Sequence, residues 1–215
     1  MKFKIDPYSP AKTMSMMKTL SILLLVTFGL IPSLALAQNG KVQLRDSSKL
    51  SIKGKSNVNE FTCESEHELQ KDSLDYSYTV NADTVQVNGV YLDLEIDQFD
   101  CGKRAINRDF KSTLKYKEYP FIEIILNELV VSDSTSLIPQ EAEVTIRIAG
   151  VERHYTVPLN SFSSSEESFT VGGNKILRMT DFGLEPPSPM FGLIKVEDEL
   201  NIQFDLVIVR DPIGT

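Results

Sequence analysis

The sequence predicts an all-β protein, an antiparallel β-barrel of about eight strands with one short helix. Three runs alternate between apolar and polar residues, at 90–96, 142–148 and 200–208. This period of two places one face of a strand inside and the other in water, as in antiparallel sheets. Many such strands with short turns form a barrel or a sandwich. An immunoglobulin-type sandwich would carry a Trp near its cysteines, and this chain has no Trp, so the barrel is favoured.

Residues 1–37 have the pattern of a secretory signal peptide. A nearly unbroken apolar run, 20–30, follows Lys18, and an A-x-A cleavage site lies at 35–37. The run is shorter than the roughly 20 residues that a membrane-spanning helix needs, so we expect a removed leader and not a retained anchor. The segment before the apolar run is unusually long, which leaves four candidate translation starts: Met1, Met14, Met16 and Met17.

The remaining segment, 38–215, has the length of one domain and is strongly acidic. Without the leader the chain keeps 18 basic and 29 acidic residues, a net charge of −11. We expect this charge to repel nucleic acid and anionic lipid headgroups. The sequence thus predicts a soluble, exported protein, periplasmic or secreted, with no nucleic-acid partner and no stable membrane anchor after cleavage. Nothing in it predicts an oligomeric state.

The other predicted elements follow with short connections. Further strands are predicted at 49–53, 59–64, 75–80, 84–88, 121–131, 154–159, 168–172 and 175–180. Gly89 interrupts the alternation, which predicts a turn or bulge, and Gly150 predicts a hairpin with a positive φ. Phe110 and Leu114, spaced i, i+4, predict a buried helical turn over 108–117, with Asn107 as its N-cap.

Cys63 and Cys101 are the two cysteines of the chain. Neither has a His nearby in a metal-ligand spacing, and a cysteine without an activating neighbour is not reactive. Export places both in an oxidising compartment. A structural disulfide is therefore favoured over a metal site or a reactive thiol.

The residues offer no constellation for catalysis or for metal binding. His67 and His154 belong to no metal-ligand spacing, and His154 is expected to face solvent. Asp181-Phe182-Gly183 spells a kinase motif, but the other kinase elements are missing from the sequence, so we interpret it as a strand end with a bend at Gly183. Arg178 and Asp181 are expected to form an ion pair or to anchor a loop. We predict a protein that is not an enzyme and holds no metal.

Two blocks of the sequence resemble the YceI-like family. The first is Arg108-Asp109-Phe110 with Leu114 and Tyr119-Pro120-Phe121-Ile122, and the second is Arg178 with Asp181-Phe182-Gly183. The resemblance covers about 47–209 and implies a lipocalin-like β-barrel that encloses a long isoprenoid tail. The segment 48–61 departs from the family pattern, and together with the cysteine pair it indicates a divergent branch.

The resemblance implies a function, an exported lipid-binding protein with its ligand inside the barrel. An eight-stranded barrel is either filled by its own side chains or holds one small ligand, and the residues alone do not decide between the two. The resemblance implies a hollow interior that binds an isoprenoid quinone or polyisoprenoid lipid, with no other cofactor. The expected cavity lining is Val90, Leu92, Leu94, Ile124, Leu126, Val144, Ile146, Ile202, Phe204 and Leu206.

Two other functions stay open at this point. One is an envelope interaction or adhesion module whose barrel is filled and ligand-free. The other, with the least support because no acid–base constellation can be named, is an enzyme that acts on a lipid.

Overall fold

Twelve antiparallel strands dominate the computed structural model, which describes residues 38–65, 73–132, 135 and 137–211. The strands are β1 (Gln38–Leu44), β2 (Lys49–Ser56), β3 (Glu60–Ser65), β4 (Leu74–Asn81), β5 (Thr84–Asn88), β6 (Tyr91–Glu95), β7 (Phe99–Asp100), β8 (Phe121–Val131), β9 (Pro139–Ile148), β10 (Val151–Ser164), β11 (Ser168–Arg178) and β12 (Val196–Asp211). One α-helix, α1 (Arg104–Thr113), accompanies them. The predicted leader and His67 lie outside the described residues. No helix within these ranges is long and apolar enough to cross a membrane.

Eight of the strands close into a ring. Their order is β1, β4, β5, β8, β9, β10, β11 and β12, and β12 pairs back with β1 from Lys41↔Asp211 to Leu44↔Ile208. All of these pairings are antiparallel, as the alternating sequence predicts. The predicted fold class, an antiparallel all-β protein with one short helix, is confirmed.

Several short strands lie end to end and act as one longer strand. β1 and β2 both lie along β12, and β5 and β6 both lie along β8. Gly89 stands between β5 and β6 with φ +88°, and a Cβ at this position would collide with the carbonyl oxygen of Asp75 on β4. The interruption predicted at Gly89 is therefore present, and close approach of a neighbouring backbone requires glycine there.

One end of the ring carries the connection between β6 and β8, and we call it the helix end. There Glu95 pairs with Phe121, and the chain between them forms a 3₁₀ turn (Ile96–Gln98), β7 and α1. A second 3₁₀ turn, Met179–Phe182, follows β11 at the same end. Ile96 is fully buried and Phe182 is 2% exposed, so two of the most deeply buried side chains lie at the helix end.

The predicted disulfide is confirmed. Cys63 on β3 is bonded to Cys101, which follows β7, and both residues are buried. β7 pairs with β3 through Glu64↔Asp100 and Ser65↔Phe99, so the disulfide reinforces a two-residue strand. It fixes the start of the α1 connection to β3, which is paired with β2.

The position predicted for the helix is wrong by four residues at each end. α1 spans Arg104–Thr113 and not 108–117, and its N-cap position is Lys103 and not Asn107. The Asn107 side chain instead accepts a hydrogen bond from the Cys101 N–H at 2.6 Å and donates one to Asp100 Oδ1 at 2.7 Å. The apolar spacing marked only the end of the helix and the position after it, where Phe110 is half-buried and Leu114, the C-cap residue, is 6% exposed.

Candidate ligand cavity

The ring encloses a cavity with an almost entirely apolar wall. The cavity has a volume of about 250 Å³. On the same measure, a cavity of about 10–15 Å³ is large enough for one water molecule. Among the residues that line it, four carry a polar or charged group: Gln43, Tyr91, Lys175 and Arg178. A space of this size and chemistry suits a long apolar molecule better than a polar one.

Every residue predicted as cavity lining reaches this one cavity. The ten are Val90, Leu92, Leu94, Ile124, Leu126, Val144, Ile146, Ile202, Phe204 and Leu206. They come from β6, β8, β9 and β12 and the position before β6, whose alternation gives them a common face. That these side chains contact a bound ligand stays a prediction.

Sequence reasoning missed two further groups of lining residues. The first group belongs to strands that were predicted only roughly or not at all, and it includes Val42, Leu50, Ile52, Leu159 and Val171. The parity of alternation in β2 and β10 could have found part of this group. The second group closes the helix end and consists of Phe110, Leu114, Met179, Phe182 and Leu184. These residues lie in helical turns and loops, where no period of two marks the inner face.

The inner face of β12 shows that the interior is hollow. Its inward residues, Leu200, Ile202, Phe204, Leu206 and Ile208, all line the cavity and are only half-buried. On β9 the inward residues are buried, with Val144 at 8% exposed and Ile146 at 6%. Because β12 is paired on both sides within a closed ring, its inward side chains can stay accessible only where the interior is not filled.

Gly173 shapes the wall beside β12. It is buried on β11 opposite Phe204, and a Cβ at this position would lie 2.7 Å from Cζ of the Phe204 ring. The missing side chain allows the ring to lie against β11. The Phe204 ring therefore occupies the space that a side chain at position 173 would fill, and it extends less far into the cavity.

A polar seam runs along one side of the cavity, between β10 and β11. The two strands pair only from Leu159↔Gly173 to Ser164↔Phe169. Beyond that point Lys175 Nζ donates a hydrogen bond to the Thr156 carbonyl at 2.8 Å and lies 5.6 Å from the centroid of the Tyr155 ring. Lys175 thus places a positive charge beside a mostly apolar wall.

Tyr155 connects this seam to the turn after β11. Its hydroxyl donates a hydrogen bond to Asp181 Oδ2 at 3.1 Å. Burial, followed by the hydrogen bond to Asp181, raises the pKa of Tyr155 to about 12. Arg178 forms an ion pair with Glu199 at 3.0 Å, and the hydrogen bond to this carboxylate raises the pKa of Arg178. Asp181 is a loop anchor and Arg178 an ion-pair partner, as the sequence suggested.

The remaining candidate for chemistry, His154, lies on the outer surface of the ring. Its side chain is 74% exposed, and its Nδ1 lies 2.9 Å from Thr145 Oγ1. In the described part of the chain, no group of three His, Cys, Asp or Glu side chains could hold a metal ion.

Comparisons with known proteins find similarity in structure alone. No family model matches the chain, and no curated protein matches it in sequence. A polyisoprenoid-binding domain from Saccharophagus degradans, implicated in plant cell wall breakdown, has a TM-score of 0.55 at 12% identity, covering 81% of this chain and 100% of that one. BcnA from Burkholderia cenocepacia has a TM-score of 0.53 at 18% identity, covering 74% and 95%. A YceI protein from Campylobacter jejuni has a TM-score of 0.45 at 14% identity, covering 64% and 82%.

These similarities bear on the fold. The chain has a YceI-like fold, as the resemblance in its sequence implied. At 12% and 18% identity the likeness extends to the arrangement of strands.

Proposed function

We propose that this protein is an exported, non-catalytic lipid carrier that holds one long isoprenoid-type chain in the cavity of its ring. The observation that carries the proposal is the hollow apolar interior beside β12. An isoprenoid chain has no hydrogen-bonding groups along its length, so it loses nothing by leaving water for a wall of Leu, Ile, Val and Phe side chains. A polar substrate would leave its donors and acceptors unpaired there.

Binding would follow from the burial of apolar surface. At roughly 25 cal/mol per Å² removed from water, a long apolar chain supplies enough free energy to offset its own ordering. The isoprenoid class is favoured over other apolar chains because the similar Saccharophagus domain is described as polyisoprenoid-binding. An isoprenoid quinone or a polyisoprenoid lipid fits this description, and no other cofactor is proposed.

Export to the periplasm or the exterior is part of the proposal. It is supported by the leader pattern in residues 1–37 and by the Cys63–Cys101 disulfide, because disulfides persist in oxidising compartments. We propose no nucleic-acid partner for a chain of this acidity, and no stable membrane anchor after the leader is removed.

The filled-barrel interaction module is the alternative that the structure favours less. A module of that kind would pack the inward residues of β12 as tightly as those of β9. The half-buried state of Ile202, Phe204 and Leu206 argues against it.

Lipid extraction tests the proposal. The protein is purified without detergent, washed, and extracted with organic solvent, and the extract is compared by mass spectrometry with a mock purification from cells lacking the protein. We expect a single long isoprenoid lipid, at close to one molecule per chain, absent from the mock. A folded protein that yields no lipid and takes up no added isoprenoid would contradict the proposal.

A further inference from the structure

Four apolar side chains stand in water at the helix end of the ring. Val58 is 61% exposed, Met190 63%, Phe191 109% and Leu193 72%. We call these four residues the apolar tip. Scattered apolar residues on a surface need no explanation, but four on two adjoining loops indicate an interaction site.

The longer of these two loops, 183–195, joins the Met179–Phe182 turn to β12, and its backbone is sharply bent where it carries Met190 and Phe191. Met190 and Phe191 have φ of +58° and +57°, and Gly192 follows with +84°. Successive left-handed residues that are not glycine are costly and persist only where the surroundings enforce them. Here the Gly192 N–H donates to the Ser188 carbonyl at 3.2 Å, and the Ile194 N–H donates to the Pro189 carbonyl at 3.3 Å. A strained turn is thus maintained although it leaves Phe191 entirely in solvent.

The two loops of the apolar tip are bonded into one unit through Asn57. Its Nδ2 donates to the Leu193 carbonyl at 3.0 Å, and its Oδ1 accepts from the Lys195 N–H at 2.8 Å. The Asn57 N–H also donates to the Lys195 carbonyl at 3.0 Å. Val58, the next residue, is therefore fixed beside the longer loop. The apolar tip is organised before any partner arrives.

The chain on both sides of the longer loop forms part of the cavity wall. Leu184 precedes the loop and Leu200 follows it on β12, and both line the cavity. The apolar tip and the cavity are therefore two parts of one continuous stretch of chain at the helix end. A partner that contacts the apolar tip is brought next to the end of the cavity.

The charges around the apolar tip indicate which kind of surface it would bind. The chain around the two loops carries Lys55 and Lys195 as bases, and Glu60, Glu185 and Glu197 as acids. Lys55 is paired with Glu60 at 2.9 Å, and the whole chain carries a net charge of −8. No excess of positive charge is available to draw the tip to an anionic surface. Attraction must come from the apolar side chains alone, which favours an uncharged surface with an apolar layer beneath it.

We propose that the apolar tip inserts into the acyl layer of a zwitterionic lipid bilayer and places the helix end of the cavity at the membrane. The choice of occupant rests on the proposed function, because a membrane is the place where a long isoprenoid chain is dissolved. The tip would act as a docking element through which the carrier meets its ligand. It needs no charge and no covalent anchor.

A single engineered tryptophan tests this, because the natural chain contains none. Phe191→Trp reports on the tip, and Ile176→Trp, at a position 55% exposed on β11, is the matched control. Each variant is mixed with phosphatidylcholine vesicles, with and without bromine on the acyl chains. We expect a shift of emission to shorter wavelength and quenching by bromine for Phe191→Trp, and neither change for Ile176→Trp.

A second experiment needs no added tryptophan. The natural protein and Phe191→Ser are each floated with phosphatidylcholine vesicles, and the fraction of protein bound to the vesicles is measured. Phe191→Ser should weaken the affinity for vesicles about tenfold or more, because one Phe side chain no longer inserts into the acyl layer. Its melting temperature should not change, because Phe191 makes no buried contact.

Three results of the fluorescence experiment would overturn the proposal. They are no response of Phe191→Trp to vesicles, an equal response of both tryptophans, and a shift that depends on protein concentration without vesicles. The last of these would identify a second copy of the chain as the occupant.

Membrane docking by the apolar tip and isoprenoid binding by the cavity can be tested separately. Phe191→Ser should still take up an isoprenoid delivered from detergent micelles, because no residue of the tip lines the cavity. Loss of vesicle binding with uptake retained supports docking, whereas absence of uptake in the natural protein contradicts the carrier function itself.

Discussion

Tyr155 is the residue that joins the wall of the ring to the 3₁₀ turn closing its helix end. Its ring packs against Phe182, with centroids 6.2 Å apart, and its hydroxyl is bonded to Asp181. Phe182 is among the most buried side chains of the described chain, so this contact connects the half-buried Asp181 anchor to the centre of the core. The Asp181-Phe182-Gly183 motif therefore has a structural role. Asp181 binds the Tyr155 hydroxyl, Phe182 packs in the core, and Gly183 ends the 3₁₀ turn with φ +64°.

The raised pKa of Tyr155 predicts a loss of stability in alkali. The folded protein holds the phenolic proton up to about pH 12, whereas the ordinary pKa is 10.0. The unfolded chain therefore releases this proton first, and the free energy of unfolding should fall as the pH rises from about 10 to about 12. Urea unfolding across this range should show a smaller fall for Tyr155→Phe than for the natural protein. Tyr119→Phe, at an exposed position, is the control, and an unchanged slope in Tyr155→Phe would contradict the assignment.

The Cys63–Cys101 pair makes a second prediction at the residue scale. The bond joins residues separated by 38 positions, and a loop of this length stabilises by about 4 kcal/mol in the chain-entropy model. Cys63→Ala/Cys101→Ala should lower the free energy of unfolding by about that amount, measured by urea denaturation. Dithiothreitol should destabilise the natural protein and leave the double variant unchanged. Equal sensitivity of the two proteins to the reductant would contradict a stabilising bond.

Among the elements, strands with strict alternation could be predicted from the sequence and others could not. β9 (Pro139–Ile148) and β12 (Val196–Asp211) contain the alternating runs 142–148 and 200–208 on which they were predicted. β1 was missed, since Gln38–Leu44 holds only Val42 and Leu44 as large apolar residues. It is a strand because β4 and β12 pair with its two edges, which is a tertiary effect.

Two predicted strands, 168–172 and 175–180, are a single element in the structure. Gly172 and Gly173 interrupt the apolar pattern and suggested a break, yet β11 continues through them from Ser168 to Arg178. Its pairing with β12 is unbroken from Ser168↔Val209 to Arg178↔Glu199. The glycines give space to Phe204, Asp205 and Ser161 and do not end the strand. A sequence does not show which cross-strand side chain needs that space.

The C-terminal end of α1 supplies a prediction at the element scale. Leu114, immediately after the helix, is 6% exposed and packs in the core that lines the cavity. Leu114→Ala should lower the free energy of unfolding by about 2–5 kcal/mol, as for other buried leucines. Ser112→Ala, at an exposed position of the same helix, should change it by less than about 0.5 kcal/mol. Denaturant unfolding measures both, and equal effects of the two substitutions would show that this face of the helix does not pack.

For the whole molecule, alternation predicted which side chains face the cavity, whereas a hollow interior was implied by the family resemblance alone; that these side chains bind a ligand stays a prediction. Alternation found Leu92, Ile146 and Phe204 because the inner face of a strand is a local property. Whether opposite walls meet depends on how many strands close the ring and on which segments cap its end, and these are not local properties. The pairing of β12 with β1 joins residues far apart in the chain, and no short pattern signals it.

The central claim, that the interior is a ligand cavity and not a packed core, is tested most directly by filling it. Ile202→Phe adds volume on the inner face of β12, and Ile176→Phe makes the same change on the outer face of β11. Isoprenoid uptake and the free energy of unfolding of ligand-free protein are measured for both variants. We expect Ile202→Phe to weaken uptake by about tenfold or more while unfolding changes by less than about 1 kcal/mol, since a cavity accepts the added ring. Ile176→Phe should alter neither quantity. A loss of about 1–3 kcal/mol in Ile202→Phe, the cost of overpacking, with no uptake by the natural protein would contradict the account.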